Sequence, residues 1–242
     1  MLTAAAFVPG APLLVPALAG PGAIDVVDLR TAVLEVTRRL SGAAQRWVAI
    51  GVGDPDTADL TRGTFAGFGV DEVVSLRPDG GAEPASAVMA TSMLVAGWLR
   101  GQVAPSALVC PSPVEVSTTA RECARIGADL GARIADSADA IGLLVVADGS
   151  FGLSAGAPGG EIVGAGVVGD RVDAAVAAAD LDAVAALGET EAAEAGIEGR
   201  AAWQVAAAVW RTAATGRCSP ETLYRASPFG VGYQVTWWGL RP

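Results

Sequence analysis

The side chains that carry most proton-transfer and metal chemistry are missing from this chain. Its 242 residues include no His, no Lys and no Asn, and all 16 positive charges are Arg. Without imidazole there is no Ser-His-Asp triad and no Cys-His dyad. A His-bearing zinc site and a two-His-one-carboxylate iron centre are equally impossible. Without Lys there is no P-loop lysine, no Schiff base and no pyridoxal phosphate anchor. Carboxylate, hydroxyl, thiol, guanidinium and backbone-amide chemistry remain. The thiols are Cys110, Cys123 and Cys218, odd in number and without a CxxC pair. This spacing suits neither a disulfide nor zinc and predicts buried, reduced thiols.

The carboxylates fall at the ends of apolar runs. Asp54 and Asp56 stand in Gly53-Asp54-Pro55-Asp56, Glu115 follows Pro111-Ser112-Pro113, and Asp148 opens Asp148-Gly149-Ser150 after the run IGLLVVA. Two carboxylates within about 4–6 Å would raise one pKa or hold a hard cation such as Mg²⁺ or Mn²⁺. Asp54 and Asp148 are therefore the catalytic candidates, and Asp56, Glu115 and Ser150 the ligand-binding ones. Asp beside Gly, Pro or Ser is also ordinary turn chemistry. Gly51-Val52-Gly53 lacks the third glycine and the following helix of a dinucleotide fingerprint. Gly63, Gly67 and Gly69 lack that context too.

The elements that must position these residues follow from hydrophobic periodicity. Residues 2–8 form a short apolar run, a buried strand ending at Pro9, with a Pro/Gly-rich loop to Gly22. Helical spacing predicts a helix over 25–40, and residues 47–53 read as a second strand. The stretch 57–83 is irregular, with a short strand at 73–76. A helix over 85–100, a strand over 107–110 stopped by Pro111, and a helix over 119–136 capped by Thr118 or Thr119 come next. Residues 141–147 are the clearest buried strand. A Gly-rich stretch over 151–169 precedes helices from about 170 to 215, and 231–238 closes as a strand. Trp203 and Trp210, seven apart, predict core or interface, and Trp237-Trp238 predict one ring on each sheet face.

Apolar strands alternating with helices predict one α/β domain over 1–242: three layers, a mostly parallel central sheet with helices on both faces. Ligands in such sheets sit beyond the strand C-termini. The loops from Pro9, Gly53, Pro111 and Asp148 should therefore share one edge.

Charge and breakers limit the partners. The net charge of −10 and pI near 4.4 argue against nucleic acid. Residues 1–24 carry no charge but are broken by Pro9, Pro12, Pro16 and Pro21, so neither a signal peptide nor a membrane span is expected. The expectation is a cytoplasmic protein.

The loop after the first strand reads Phe7-Val8-Pro9-Gly10-Ala11-Pro12-Leu13-Leu14-Val15-Pro16. It resembles the opening of the class III extradiol ring-cleavage dioxygenases and their LigB-like relatives. Three further stretches look like the small actinobacterial branch of that family: Val146-Ala147-Asp148-Gly149-Ser150, Ala202-Trp203-Gln204-Val205 and Ser227-Pro228-Phe229-Gly230-Val231-Gly232-Tyr233-Gln234-Val235. The resemblance implies a central sheet between helices and, in active members, Fe(II) held by two His and a Glu. The first of those His would fall on Gly10, which makes Gly10 a ligand-binding candidate. The second would fall at Gly53-Asp54. Neither can ligate as imidazole.

The sequence thus predicts a LigB-like protein whose iron site is lost. It would be a small-ligand-binding or assembly module with no cofactor, and a homodimer as relatives of this fold often are. The alternative is a metal-assisted hydrolase or lyase using Asp54 and Asp148, with Glu115 as a further candidate, and Mg²⁺ or Mn²⁺. A retained dioxygenase activity is the remaining reading.

Overall fold

A computed structural model describes residues 1–20 and 23–241; Pro21 and Gly22 of the first loop lie outside the described residues. The elements, in chain order, are β1 (Leu2–Val8), α1 (Pro16–Ala19), α2 (Val27–Ala43), β2 (Arg46–Val52), β3 (Arg62–Thr64), β4 (Val73–Ser75), α3 (Thr91–Val103), β5 (Leu108–Val114), α4 (Ala120–Ala135), β6 (Ile141–Val146), α5 (Ala165–Ala178), α6 (Leu181–Ala185), α7 (Glu189–Glu194), α8 (Arg200–Ala213), β7 (Arg217–Ala226) and β8 (Tyr233–Arg241). The protein is α/β. Its central sheet has the order β5-β2-β6-β1-β8-β7. The first four strands pair in parallel, and β8 and β7 close one side as an antiparallel hairpin.

The central strands are buried on both faces, and their alternation sorts the core into two layers. Ala4, Ala6, Val8, Trp47, Ala49, Leu144 and Val146 face α2 and α3, whereas Leu2, Ala5, Phe7, Val48, Ile50, Leu143 and Val145 face α4 and α8. Helix α2 turns Leu29, Val33, Val36 and Leu40 onto the sheet. Helix α3 is buried almost all round because β3 and β4 form a small hairpin over its outer side. On the opposite layer α4 and α8 meet closely. A Cβ on Gly127 would lie 2.4 Å from Ala208 Cβ, so that crossing requires glycine. Thr119 caps α4 in a reciprocal capping box with Glu122. The Trp238 ring packs on Phe7 and Trp210 in the α8 layer, and Trp237 packs against the other core, one ring on each face.

The structure corrects several expectations. The strand expected to stop at Pro111 runs on to Val114 through Pro111 and Pro113. Both prolines share the outward side of an edge strand with Val109, whose N–H bonds Leu76 O at 2.8 Å, so no ladder donor toward β2 is lost. β7 went unforeseen: its sequence RCSPETLYRA is polar and half exposed because it forms the other edge. β3, which pairs with the foreseen strand at 73–75, was also unforeseen. The first loop contains α1, and α3 starts at Thr91 rather than 85. Of the thiols expected to be buried, only Cys123 is; Cys110 is exposed and Cys218 intermediate. Among the described residues no helix is long and apolar enough to cross a membrane.

Candidate functional site

Chain connections run outward from β2 and back through β6, so the ends of β1, β2 and β6 leave a crevice where the winding reverses. It encloses about 490 Å³. Gly10 and Pro12 after β1, Val52 to Asp54 after β2, Ala90 to Ser92 opening α3, and Val146 to Gly149 at the end of β6 line it, with Phe68, Phe151, Glu198, Gly199 and Val231 from further loops.

Asp148 sits on a tightly stitched backbone. Ala147 N–H bonds Val8 O, Gly149 N–H bonds Gly232 O, and Phe151 N–H bonds Gly196 O, all within 3.0 Å. Gly199, just before α8, approaches so closely that a Cβ there would lie 2.5 Å from Asp148 O. The side chain is fixed by one bond: Gly10 N–H donates to Oδ1 at 3.0 Å. Among the described residues no donor reaches Oδ2, and no buried side-chain oxygen is left unbonded, so Oδ2 opens on the crevice. Crowding by protein drives the carboxyl pKa up to about 7, against the pull of the Gly10 N–H and with some help from Glu198. Tyr233 is raised as well, by burial first and then by Asp148.

The second wall is built by Ser92, whose Oγ–H donates to Val52 O at 2.8 Å and pins the start of α3 to the end of β2. Asp54 is exposed on the rim. Its Oδ1 accepts from Asp56 N–H at 2.9 Å, capping the short turn Pro55–Thr57.

Of the residues picked from sequence, Gly10, Asp54 and Asp148 line this one crevice. Asp56, Glu115 and Ser150 do not. Asp56 and Glu115 are exposed outside it, and Ser150 is buried, with its Oγ accepting from Gly152 N–H. Because β5 continues past Pro111, Glu115 lies outside the crevice; the next residue, Val116, lines an adjoining hollow of about 210 Å³ that shares Phe151 and Glu198 with the crevice and is also lined by Arg200. Phe68, Thr91, Ser92, Phe151 and Glu198 were missed. They reach the crevice from loops and a helix start with no periodic signal; Phe151 directly follows the noted Asp148-Gly149-Ser150, Phe68 lies between the noted Gly67 and Gly69, and Glu198 precedes the Ala202-Trp203 stretch.

No family model and no curated protein matches the chain. A solved structure does. An uncharacterized protein from Escherichia coli K12 superposes with a TM-score of 0.54 over 98% of this chain and 99% of its own, at 11% identity. At that identity the likeness shows the fold alone.

The side chains at the crevice can be set against the metals considered above. Gly10 offers only its backbone N–H, and Asp54 spends an oxygen on its own turn. Among the described residues no three Cys, Asp or Glu side chains are gathered at one point. Ferrous iron held through imidazole has no ligands here; of the carboxylates in the hydrolase reading, Asp54 and Asp148 line one crevice and Glu115 lies outside it.

Behind the crevice, Arg200 at the start of α8 is buried without a carboxylate partner among the described residues. Its Nη1 donates to Gln204 Oε1 at 2.8 Å, and its Nη2 to Val116 O at 3.0 Å and Thr118 O at 2.6 Å. Gln204 in turn donates to Ala185 O and Leu187 O. The pair ties the β5–α4 loop and the end of α6 to α8.

Proposed function

We propose that the chain is a LigB-like protein in which the ferrous-iron site has been lost and the crevice at Asp148 binds a small organic molecule. The observation that carries this reading is Asp148 Oδ2: a carboxylate oxygen on a rigid backbone, opening on about 490 Å³ of crevice, with no protein partner among the described residues. Pockets of this size at a winding reversal, with a few fixed polar atoms in apolar walls, suit small ligands. The sequence resemblance supports the same placement, since Gly10 and Gly53-Asp54 stand where active members of that family hold iron. Here those positions supply a backbone donor and a turn cap.

The test combines three measurements on the purified chain: metal content, oxygen uptake with catechol, and thermal shift against a library of small organic compounds. The expected result is no stoichiometric iron, no catechol-dependent oxygen uptake, and stabilisation by at least one compound. That gain should reach about 2.7 kcal/mol at a hundredfold excess over Kd. Thr91→Trp, which fills the crevice from the start of α3, should abolish it. Tightly bound iron with catechol-dependent oxygen uptake would overturn the reading, as would stabilisation by Mg²⁺ or Mn²⁺ alone.

A further inference from the structure

The crevice carries an unbalanced charge. Asp54, Asp148 and Glu198 line it, and none of the 16 Arg does. The chain has no Lys or His to supply a cation instead. Some acidic side chains elsewhere find guanidinium partners, such as Asp170 and Asp173 with Arg225, Asp182 with Arg211, Glu191 with Arg171 and Asp139 with Arg46. Among the described residues none of the three crevice carboxylates has such a partner. Two phenyl rings complete the lining. Phe68 is 46% exposed at the crevice, and Phe151 lies beside Glu198. Aromatic faces near carboxylates attract a cation with an apolar body, through the ring quadrupole as well as through charge.

One feature of the lining has the opposite polarity. The start of α3 brings the Thr91 and Ser92 N–H groups to the crevice, and no side chain caps them. A helix N-terminus carries about half an elementary charge, against the Asp54 and Glu198 carboxylates and an Asp148 carboxyl that is partly ionised near neutral pH. The carboxylates decide the sign.

Resting on the ligand-binding reading above, we infer that the crevice takes a cationic organic ligand: a protonated amine on a compact apolar body, with the ammonium against Asp148 Oδ2 and the body between Phe68 and Phe151. The unfilled oxygen receives the N–H donor that the protein does not supply. Glu198 strengthens the field, and the phenyl rings cover the carbon frame.

Three probes of one shape separate the charge from the cavity: cyclohexylammonium, cyclohexanol and cyclohexanecarboxylate, titrated calorimetrically into the full chain. Cyclohexylammonium should bind at least about tenfold more tightly than cyclohexanol, as a charge-assisted hydrogen bond predicts, and cyclohexanecarboxylate should bind least. Asp148→Asn keeps an oxygen for the Gly10 N–H and should cost cyclohexylammonium at least about tenfold in affinity. Glu198→Gln and Phe68→Ala, both at exposed positions, should each weaken it by a smaller factor, so the inference stays testable if the Asp148 variant fails to fold. Equal or tighter binding of cyclohexanol or cyclohexanecarboxylate overturns the cationic ligand and leaves the small-ligand crevice standing. Binding of none of the three at millimolar concentration overturns the cationic ligand, and the compound library above decides the small-ligand crevice separately. Cyclohexylammonium binding that survives all three substitutions places the ligand elsewhere and also overturns the inference.

Discussion

Arg200 and Asp148 lie on either side of Gly199, and both are charges drawn away from water, yet the protein treats them oppositely. Arg200 is surrounded by acceptors: two carbonyls and the Gln204 amide oxygen take its donors, and it joins three segments. Asp148 receives one N–H, and its other oxygen faces open space. A buried charge that serves architecture is satisfied from within the chain. A charge held rigidly with one oxygen unfilled leaves a place that, in the proposed function, a ligand completes. On the proposed reading, the difference separates a structural charge from a ligand-facing one without appeal to any motif.

The largest expected effect tests the architectural side. Arg200→Met keeps most of the volume but leaves Val116 O, Thr118 O and Gln204 Oε1 without their donor. Chemical denaturation should show a loss of about 3 kcal/mol or more. Arg200→Lys should recover only part of it, because an ammonium cannot reproduce the fork of the guanidinium. A loss under about 1 kcal/mol would remove Arg200 from this role.

Asp148→Asn should act in the opposite direction. The folded pKa, raised from 3.8 to about 7, lies above the unfolded one. The folded state therefore holds the proton through a window in which the unfolded state has released it. The stability tied to that proton is present below the unfolded pKa and is lost as pH rises through about 7. A shift of this size corresponds to about 4 kcal/mol, which solvent in the crevice reduces. The variant should match the parent near about pH 4 and exceed it by about 2 kcal/mol near about pH 8. Equal stability at both ends would mean that Asp148 is as well satisfied as Arg200.

Two smaller effects sharpen the contrast. Asp54→Ala should cost about 1 kcal/mol at most, the value of a cap on a short exposed turn. Glu198→Gln, at an exposed position, should change stability by a few tenths of a kcal/mol at most, while still weakening the cationic probe. A large destabilisation in either variant would make that residue structural.

Part of this picture was legible in the chain. The runs around Phe7, Ile50 and Val145 read as buried strands because they are short, apolar and bounded by Gly or Pro. The rule that loops at the strand C-termini converge then brought Gly10, Asp54 and Asp148 to one edge. The rest depends on distant partners. β7 carries Arg217, Pro220 and Glu221 because an edge strand must resist pairing with other chains, and that same polarity hides it. Pro111 looked like a stop, yet its missing N–H faces outward. Glu115 was grouped with the crevice by its place after Pro113, and four further residues of strand, Pro111 to Val114, place it outside. Phe151 and Glu198 enter the crevice through backbone bonds between segments about 50 residues apart, which no local pattern encodes.

The claim at the centre is that Asp148 waits for a partner from outside the chain. Titrating its carboxyl carbon by NMR, with and without saturating cyclohexylammonium, tests this directly. The free protein should titrate near 7 at this residue, and the bound form well below it, because the ammonium favours the ionised carboxyl. A free-state pKa in the ordinary carboxylate range near about 4, unmoved by the amine, would contradict the account.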